Sequence, residues 1–203
     1  MQTKTIVVFA NSVKHGQHCV AGKCIATGLW VRPVADARGS ALSAKQVMYQ
    51  NNYGTYSVKP MQKIEMYLDS HVPLNNQPEN YMLTDKLWQQ RFKIDERQLP
   101  EFLDFPDDLW GRGDRVRYQD IQFENYVIAQ SLYLIQPDDF SINFLSGKPR
   151  AQFIFCNNNY NLAITDPLIR AKLTTGLSDT PIICVSLGEV YQGNCYKLVA
   201  NIF

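Results

Sequence analysis

Four side chains able to ligate a metal, His15, His18, Cys19 and Cys24, fall within ten residues near the start of the chain. A Cys beside a His could equally serve as nucleophile and base. The spacing argues against zinc, because closed zinc sites use two spaced pairs on facing turns, whereas His18 and Cys19 are adjacent here. Cys19 and Cys24 would also lie along one strand whose side chains alternate faces. A different chemistry suits Asn11, Lys14, His15, Trp30 and Arg32: an amide and cations beside a flat ring, the groups that hydrogen-bond a base edge, follow a phosphate and stack. The opposing reading has Trp30 plugging the interior and Arg32 paired with a carboxylate.

Further candidates lie downstream. Gln77 and Asn80 belong to the polar run Gln77-Pro78-Glu79-Asn80, where turn and capping roles compete with ligand contact. Lys148 and Arg150 open a strand and fit phosphate contacts, with Arg150, Gln152 and Ile154 on one face and Phe153 and Phe155 on the other. Phe153 and Phe155 either fill a core or form a stacking platform, and burial is the commoner fate. Arg112-Gly113-Asp114-Arg115-Val116-Arg117 reads as a backbone clamp or as a solvated linker. Enzyme signatures are missing: there is no Gly-rich loop ending in Lys-Ser/Thr, no G-x-S-x-G and no H-E-x-x-H. No metal or cofactor is expected.

The elements that must hold these groups are strands. With 45% hydrophobic residues, 11 Tyr, 10 Phe and recurrent β-branched runs, the composition is that of a β-rich domain with an ample core. Twenty Lys and Arg against 19 acidic residues give a net charge of +1, so any polyanion site must be local. Five cysteines without a secretory leader suit reduced thiols and a cytoplasmic protein, with Cys156, Cys184 and Cys195 expected in the core. No apolar run is long enough to span a membrane.

In the last third, strands are predicted at 126–135, 150–156 and 160–164, the last two joined through Asn157-Asn158-Asn159, where Asn accepts positive φ. Asp166 and Pro167 mark a helix start, Gly176 its end, and strands follow at 181–187 and 194–203. Three strands, a helix and two strands is the order of the OB-fold, a five-stranded barrel that binds oligonucleotides or oligosaccharides. The first part repeats the order, with strands at 4–10, 17–25, 29–34 and 62–69, a helical stretch at 43–49, and a fifth strand that is hard to find. The segment 84–92 has a helical spacing, and a strand is expected at 121–126. In such a barrel residues 11–17 would form the loop between strands 1 and 2, Trp30 and Arg32 would share a face of strand 3, and Tyr191 would lie in the loop between strands 4 and 5.

The runs Ile6-Val7-Val8-Phe9-Ala10-Asn11-Ser12, Lys14-His15-Gly16, Cys19-Val20-Ala21-Gly22, Trp30-Val31-Arg32-Pro33, Gln77-Pro78-Glu79-Asn80, Thr165-Asp166-Pro167, Ser186-Leu187-Gly188-Glu189 and Cys195 to Ala200 together resemble the dual-OB-domain proteins of bacteria. The resemblance spans nearly the whole chain. It implies a mainly β protein of two OB-like barrels, a nucleic-acid or nucleotide role, a setting in prokaryotic defence, and no established catalytic residues. The expected division is 1–79 for the first barrel, 80–125 for a partly helical insert and 126–203 for the second; a single irregular α+β domain is the alternative. The expected function is non-catalytic binding of single-stranded nucleic acid or a nucleotide. Two alternatives stand beside it: an enzyme working through the Asn11, Lys14 and His15 loop, and a module for a protein partner.

Overall fold

A computed structural model describes residues 1–14 and 16–203, with the backbone alone at Lys14. His15 therefore lies outside the described residues. The chain forms two compact units, Met1–Leu74 with Pro78–Phe102, and Asn75–Gln77 with Leu103–Phe203.

The first unit contains β1 (Gln2–Lys14), β2 (Gln17–Cys24), β3 (Trp30–Val34), β4 (Met48–Asn51), β5 (Gly54–Ser57), β6 (Gln62–His71), β7 (Asn80–Leu83), β8 (Trp88–Lys93) and a 3₁₀ helix, Glu96–Phe102. Five strands close a barrel in the order β1-β2-β3-β7-β6 and back to β1, with β3 and β7 parallel and the remaining pairs antiparallel. That is the OB order. β1 serves two neighbours: Gln2 to Val7 pair with β6, and Ile6 to Lys14 pair with β2, with a register shift between Val8 and Ala10. Such a bulge bends a strand enough to let one chain segment close the cylinder. Gly22 permits the close approach, since a Cβ there would stand 2.1 Å from the Val7 carbonyl oxygen. Ile6, Val8, Val20, Val31, Ile64, Met66 and Trp88 form the core.

Three expectations change in this unit. The helix expected at 43–49 is a turn, in which Gln46 Oε1 accepts from the Ser43 amide and hydroxyl, followed by the hairpin β4–β5. The helix expected at 84–92 is strand β8, because its Trp88 is drawn into the barrel core while its backbone pairs with β6 and β4. Asn11 to Lys14 extend β1 instead of forming a loop.

The second unit contains β9 (Arg115–Arg117), α1 (Tyr118–Gln122), β10 (Leu132–Ile135), β11 (Asp138–Leu145), β12 (Lys148–Phe155), β13 (Asn158–Ile164), α2 (Ile169–Thr175), β14 (Ile183–Tyr191) and β15 (Asn194–Ile202). Its sheet runs β10-β14-β15-β13-β12-β11, with β13 and β15 parallel and β9 added alongside β15. The two edge strands β10 and β11 are consecutive in the chain, parted by Gln136-Pro137. Pro137 has no N–H to give the ladder, so the first strand of this barrel is broken where β1 is merely bulged. α2 falls between the third and fourth strands, as expected, two residues later than the sequence signals indicate; Asp166 Oδ1 accepts the Leu168 amide. The strand expected at 121–126 is largely α1 and the turn after it.

Three two-residue turns, Ser146-Gly147, Cys156-Asn157 and Gln192-Gly193, have positive φ at both positions, the form that matches strand twist. Cys156 thereby sits exposed at a turn and not in the core, whereas Cys184 and Cys195 are buried. Phe153, stacked between Phe140 and Tyr160, fills the core.

One buried cation belongs to this core. Lys197 is 1% exposed, and its Nζ donates to the carbonyl oxygens of Gly111, Arg112 and Gly113. Positive φ at Trp110, Gly111 and Gly113 shapes the loop that presents those oxygens. Burial pushes the lysine down to about 8, against the pull of Asp108 and Asp114.

Candidate functional site

A polar surface suited to recognition lies on the outward face of β11, β12 and β13. Because these strands are paired in register and side chains alternate, polar residues fall into rows. Ser141 stands opposite Gln152, and Gln152 opposite Asn161. The next row is Asn143, Arg150 and Ala163, and the row on the other side is Asp138, Ile154 and Asn159. Ala151, Phe153, Tyr160 and Leu162 take the opposite face and are buried, which fixes the register: slipping by one residue would put Phe153 in water and Gln152 in the core.

Within the rows, Asn143 Nδ2 donates to Gln152 Oε1 at 3.2 Å and Arg150 Nε donates to Asn161 Oδ1 at 2.6 Å, while Arg150 Nη2 reaches the Asn161 carbonyl. These contacts take the acceptor of each amide. Among the described residues no hydrogen bond engages Gln152 Nε2 or Asn161 Nδ2, so both exposed amides keep N–H donors for a ligand.

Beside the rows, Arg150 Nη2 is 4.0 Å from Asp114 Oδ2, and Asp114 Oδ1 accepts from Arg115 Nε at 2.8 Å. Arg115 in turn donates to the Tyr196 hydroxyl at 3.2 Å and lies 4.8 Å over its ring, and Tyr191 is 6.3 Å from Tyr196. β9 and β15 pair in register at Arg115 and Tyr196, which sets this contact. The result is a strip running from amides through paired arginines to two tyrosines, with Lys148 exposed on the Arg150 side of β12. Its chemistry is hydrogen bonding to planar polar edges, stacking, and a modest positive charge tempered by Asp114 and Asp138.

The structure brings together Arg150, Lys148 and Tyr191 of the residues singled out from sequence. The others lie elsewhere. Trp30 is 5% exposed, edge-on to Phe9 at 5.9 Å, with Lys23 Nζ 5.5 Å from its ring. Arg32 is 6% exposed and its Nε is 3.3 Å from Glu79 Oε1. Phe102, at the end of the 3₁₀ helix, packs 5.2 Å from Phe9 and accepts a 2.7 Å hydrogen bond from Lys23 Nζ through its carbonyl. In the first unit the strand 2 and 3 face is thus occupied by the chain's own side chains. Asn11 Nδ2 donates to the Val58 carbonyl at 2.8 Å and its Oδ1 meets His18 Nδ1 at 2.9 Å, tying this amide into the barrel wall. Asn80 is buried on β7, and Gln77 is buried in the second unit, where its Nε2 donates to the Leu187 carbonyl.

Sequence reasoning missed Ser141, Asn143, Asn159 and Asn161. Their signal was alternation: polar residues at every second position of 141–143 and 159–161, continuing the pattern of Arg150 and Gln152. No described helix is long and apolar enough to cross a membrane.

A sequence model of the dual OB-containing domain matches residues 4–202. No curated protein and no solved structure is similar enough to match.

Proposed function

The chain belongs to the dual OB-containing domain family, and from that premise we propose that it binds single-stranded nucleic acid or a nucleotide through the outward face of β11–β13, with no chemistry of its own. The observation that carries this reading is the registered row Ser141, Gln152, Asn161, set on the strand face that OB barrels use for oligomeric ligands. The amides of Gln152 and Asn161 offer N–H donors, which the carbonyl and ring-nitrogen acceptors of base edges complement. Tyr191 and Tyr196 supply stacking surface, and Lys148 and Arg150 supply charge for a backbone phosphate. With Lys148, Arg150 and Arg115 set against Asp114 and Asp138, the strip carries little net charge, so binding falls with salt less steeply than for a basic protein. In the same proposal, cytoplasmic location is supported by the cysteine usage and a role in prokaryotic defence by the family resemblance alone.

The test is fluorescence anisotropy with labelled oligonucleotides and with nucleotides over a salt series. Gln152→Ala with Asn161→Ala should weaken binding by about tenfold or more while thermal melting holds, since both side chains are exposed. Unchanged affinity in that double variant, or no affinity for any nucleic acid, would overturn the reading; in the second case a protein partner becomes the use of this face.

A further inference from the structure

The first unit carries a groove that the five-stranded barrel does not supply. It lies between the turn of the β4–β5 hairpin and the end of β8, encloses about 330 Å³, and is lined by Asn51, Asn52, Tyr53 and residues 89–93. This volume is at the lower end of the roughly 300–1,000 Å³ typical of small-ligand sites. Among the described residues β4 pairs with β8 at Tyr49–Trp88 and Gln50–Gln89 and no strand pairs with Arg91, Phe92 and Lys93 on that side.

The lining is unusual in what it leaves in water. Tyr53 is 88% exposed and Phe92 74%, although a barrel with a filled core has no folding reason to present two rings at one groove. The same lining holds four amides, Asn51, Asn52, Gln89 and Gln90, of which Asn51 Nδ2 donates to Gln90 Oε1 at 2.9 Å. Arg91 and Lys93 are the charged lining residues, and no carboxylate is among them. Arg91 is paired with Glu65, with Nη2 at 2.8 Å from Oε1, and among the described residues no ion pair holds Lys93.

We propose that this groove is a second nucleic-acid contact, taking one base of a single strand against Tyr53 or Phe92 and its phosphate against Lys93. Rings for stacking, amides for base edges and the charge of Lys93 complement a nucleotide better than a peptide, whose apolar side chains would find no pocket among four amides. The inference rests on the nucleic-acid reading above but uses different residues, so the two can fail separately.

The experiment is photo-cross-linking of the full chain to a bromouridine-bearing single strand, with mass mapping of the adducts, beside anisotropy of Tyr53→Ala with Phe92→Ala. Adducts at Tyr53 or Phe92, and about a tenfold loss of affinity in the double variant at unchanged melting temperature, are expected. Adducts confined to 138–163 with full affinity in that variant overturn the groove and leave the first site standing. Adducts at the groove alone overturn the first site and leave the groove. Absence of both adducts and binding overturns both.

Discussion

The Nζ of Lys197 stands 2.6 Å from the carbonyl oxygen of Gly111, inside a ring of three loop carbonyls and 5.4 Å from the centre of the Tyr160 ring. Tyr160 donates its hydroxyl hydrogen to the same Gly111 oxygen and accepts the Leu109 amide. A lysine and a tyrosine from two different strands thus pin the 109–113 loop over one end of the second core.

This lysine should make stability depend on alkaline pH. Its pKa is lowered to about 8 in the native state, against roughly 10.4 in an unfolded chain. Between those values the unfolded chain holds the proton and the native one releases it, so the lysine's contribution to stability rises with pH through that window and is absent below it. Cys195 acts oppositely: burial pushes its thiol up to about 11, so its contribution is lost as pH rises from the unfolded thiol range towards that value. The lysine's share is therefore read as a difference. In urea titrations across the window, Lys197→Met, which has nothing to titrate, should lose ground to the wild type as pH climbs; a constant gap would contradict the assignment.

The buried pair Arg32–Glu79 should be costly to halve. Its side chains are 7% and 5% exposed, and removing either leaves a charge in the interior. Glu79→Ala is expected to cost about 3–5 kcal/mol, and replacing both residues by apolar ones much less. Chemical denaturation of the two single variants and the double variant measures this.

Gly22→Ala should disrupt the first barrel. The added methyl would meet the Val7 carbonyl oxygen at 2.1 Å, a backbone atom that no rotamer change can move. A loss of about 3 kcal/mol or more is expected. Amide exchange concentrated at β1 and β2 would locate the damage, and a variant as stable as wild type would refute the close approach.

Thiol reagents should separate the cysteines by position. Cys156 is exposed at its turn, while Cys184 and Cys195 are buried. Cys156 should react fastest in the native protein, and Cys156→Ser should remove the fast phase. Fast labelling of Cys195 would contradict its raised pKa.

The strand-rich class and the order of the second barrel were legible because Ile, Val and Phe alternate with polar residues along 150–164 and 183–202, a period that suits only strands. β11 was not legible: Pro137-Asp138-Asp139 reads as a stop, yet the chain crosses it with a bulge and positive φ at Asp139. The closing strand of the first barrel, Asn80–Leu83, is four residues long and opens on a buried Asn, so no apolar run announces it. In β8 the spacing of Trp88 and Phe92 suits a helix, and pairing with β6 makes it a strand. For the site, Arg150 and Tyr191 could be found from position in the strand order. Trp30 and Arg32 could not be judged, because Phe102 and Glu79, which lie against their surroundings, come from segments far along the chain.

Residues 75–77 join the second unit although the chain on either side of them belongs to the first, so the polypeptide passes between the two three times. Severing it at Phe102 would strip the C-terminal fragment of Gln77, whose buried amide meets the Leu187 carbonyl. Such a break leaves all of the first unit on one fragment but takes residues 75–77 from the second, so the second unit is made whole only together with the chain of the first.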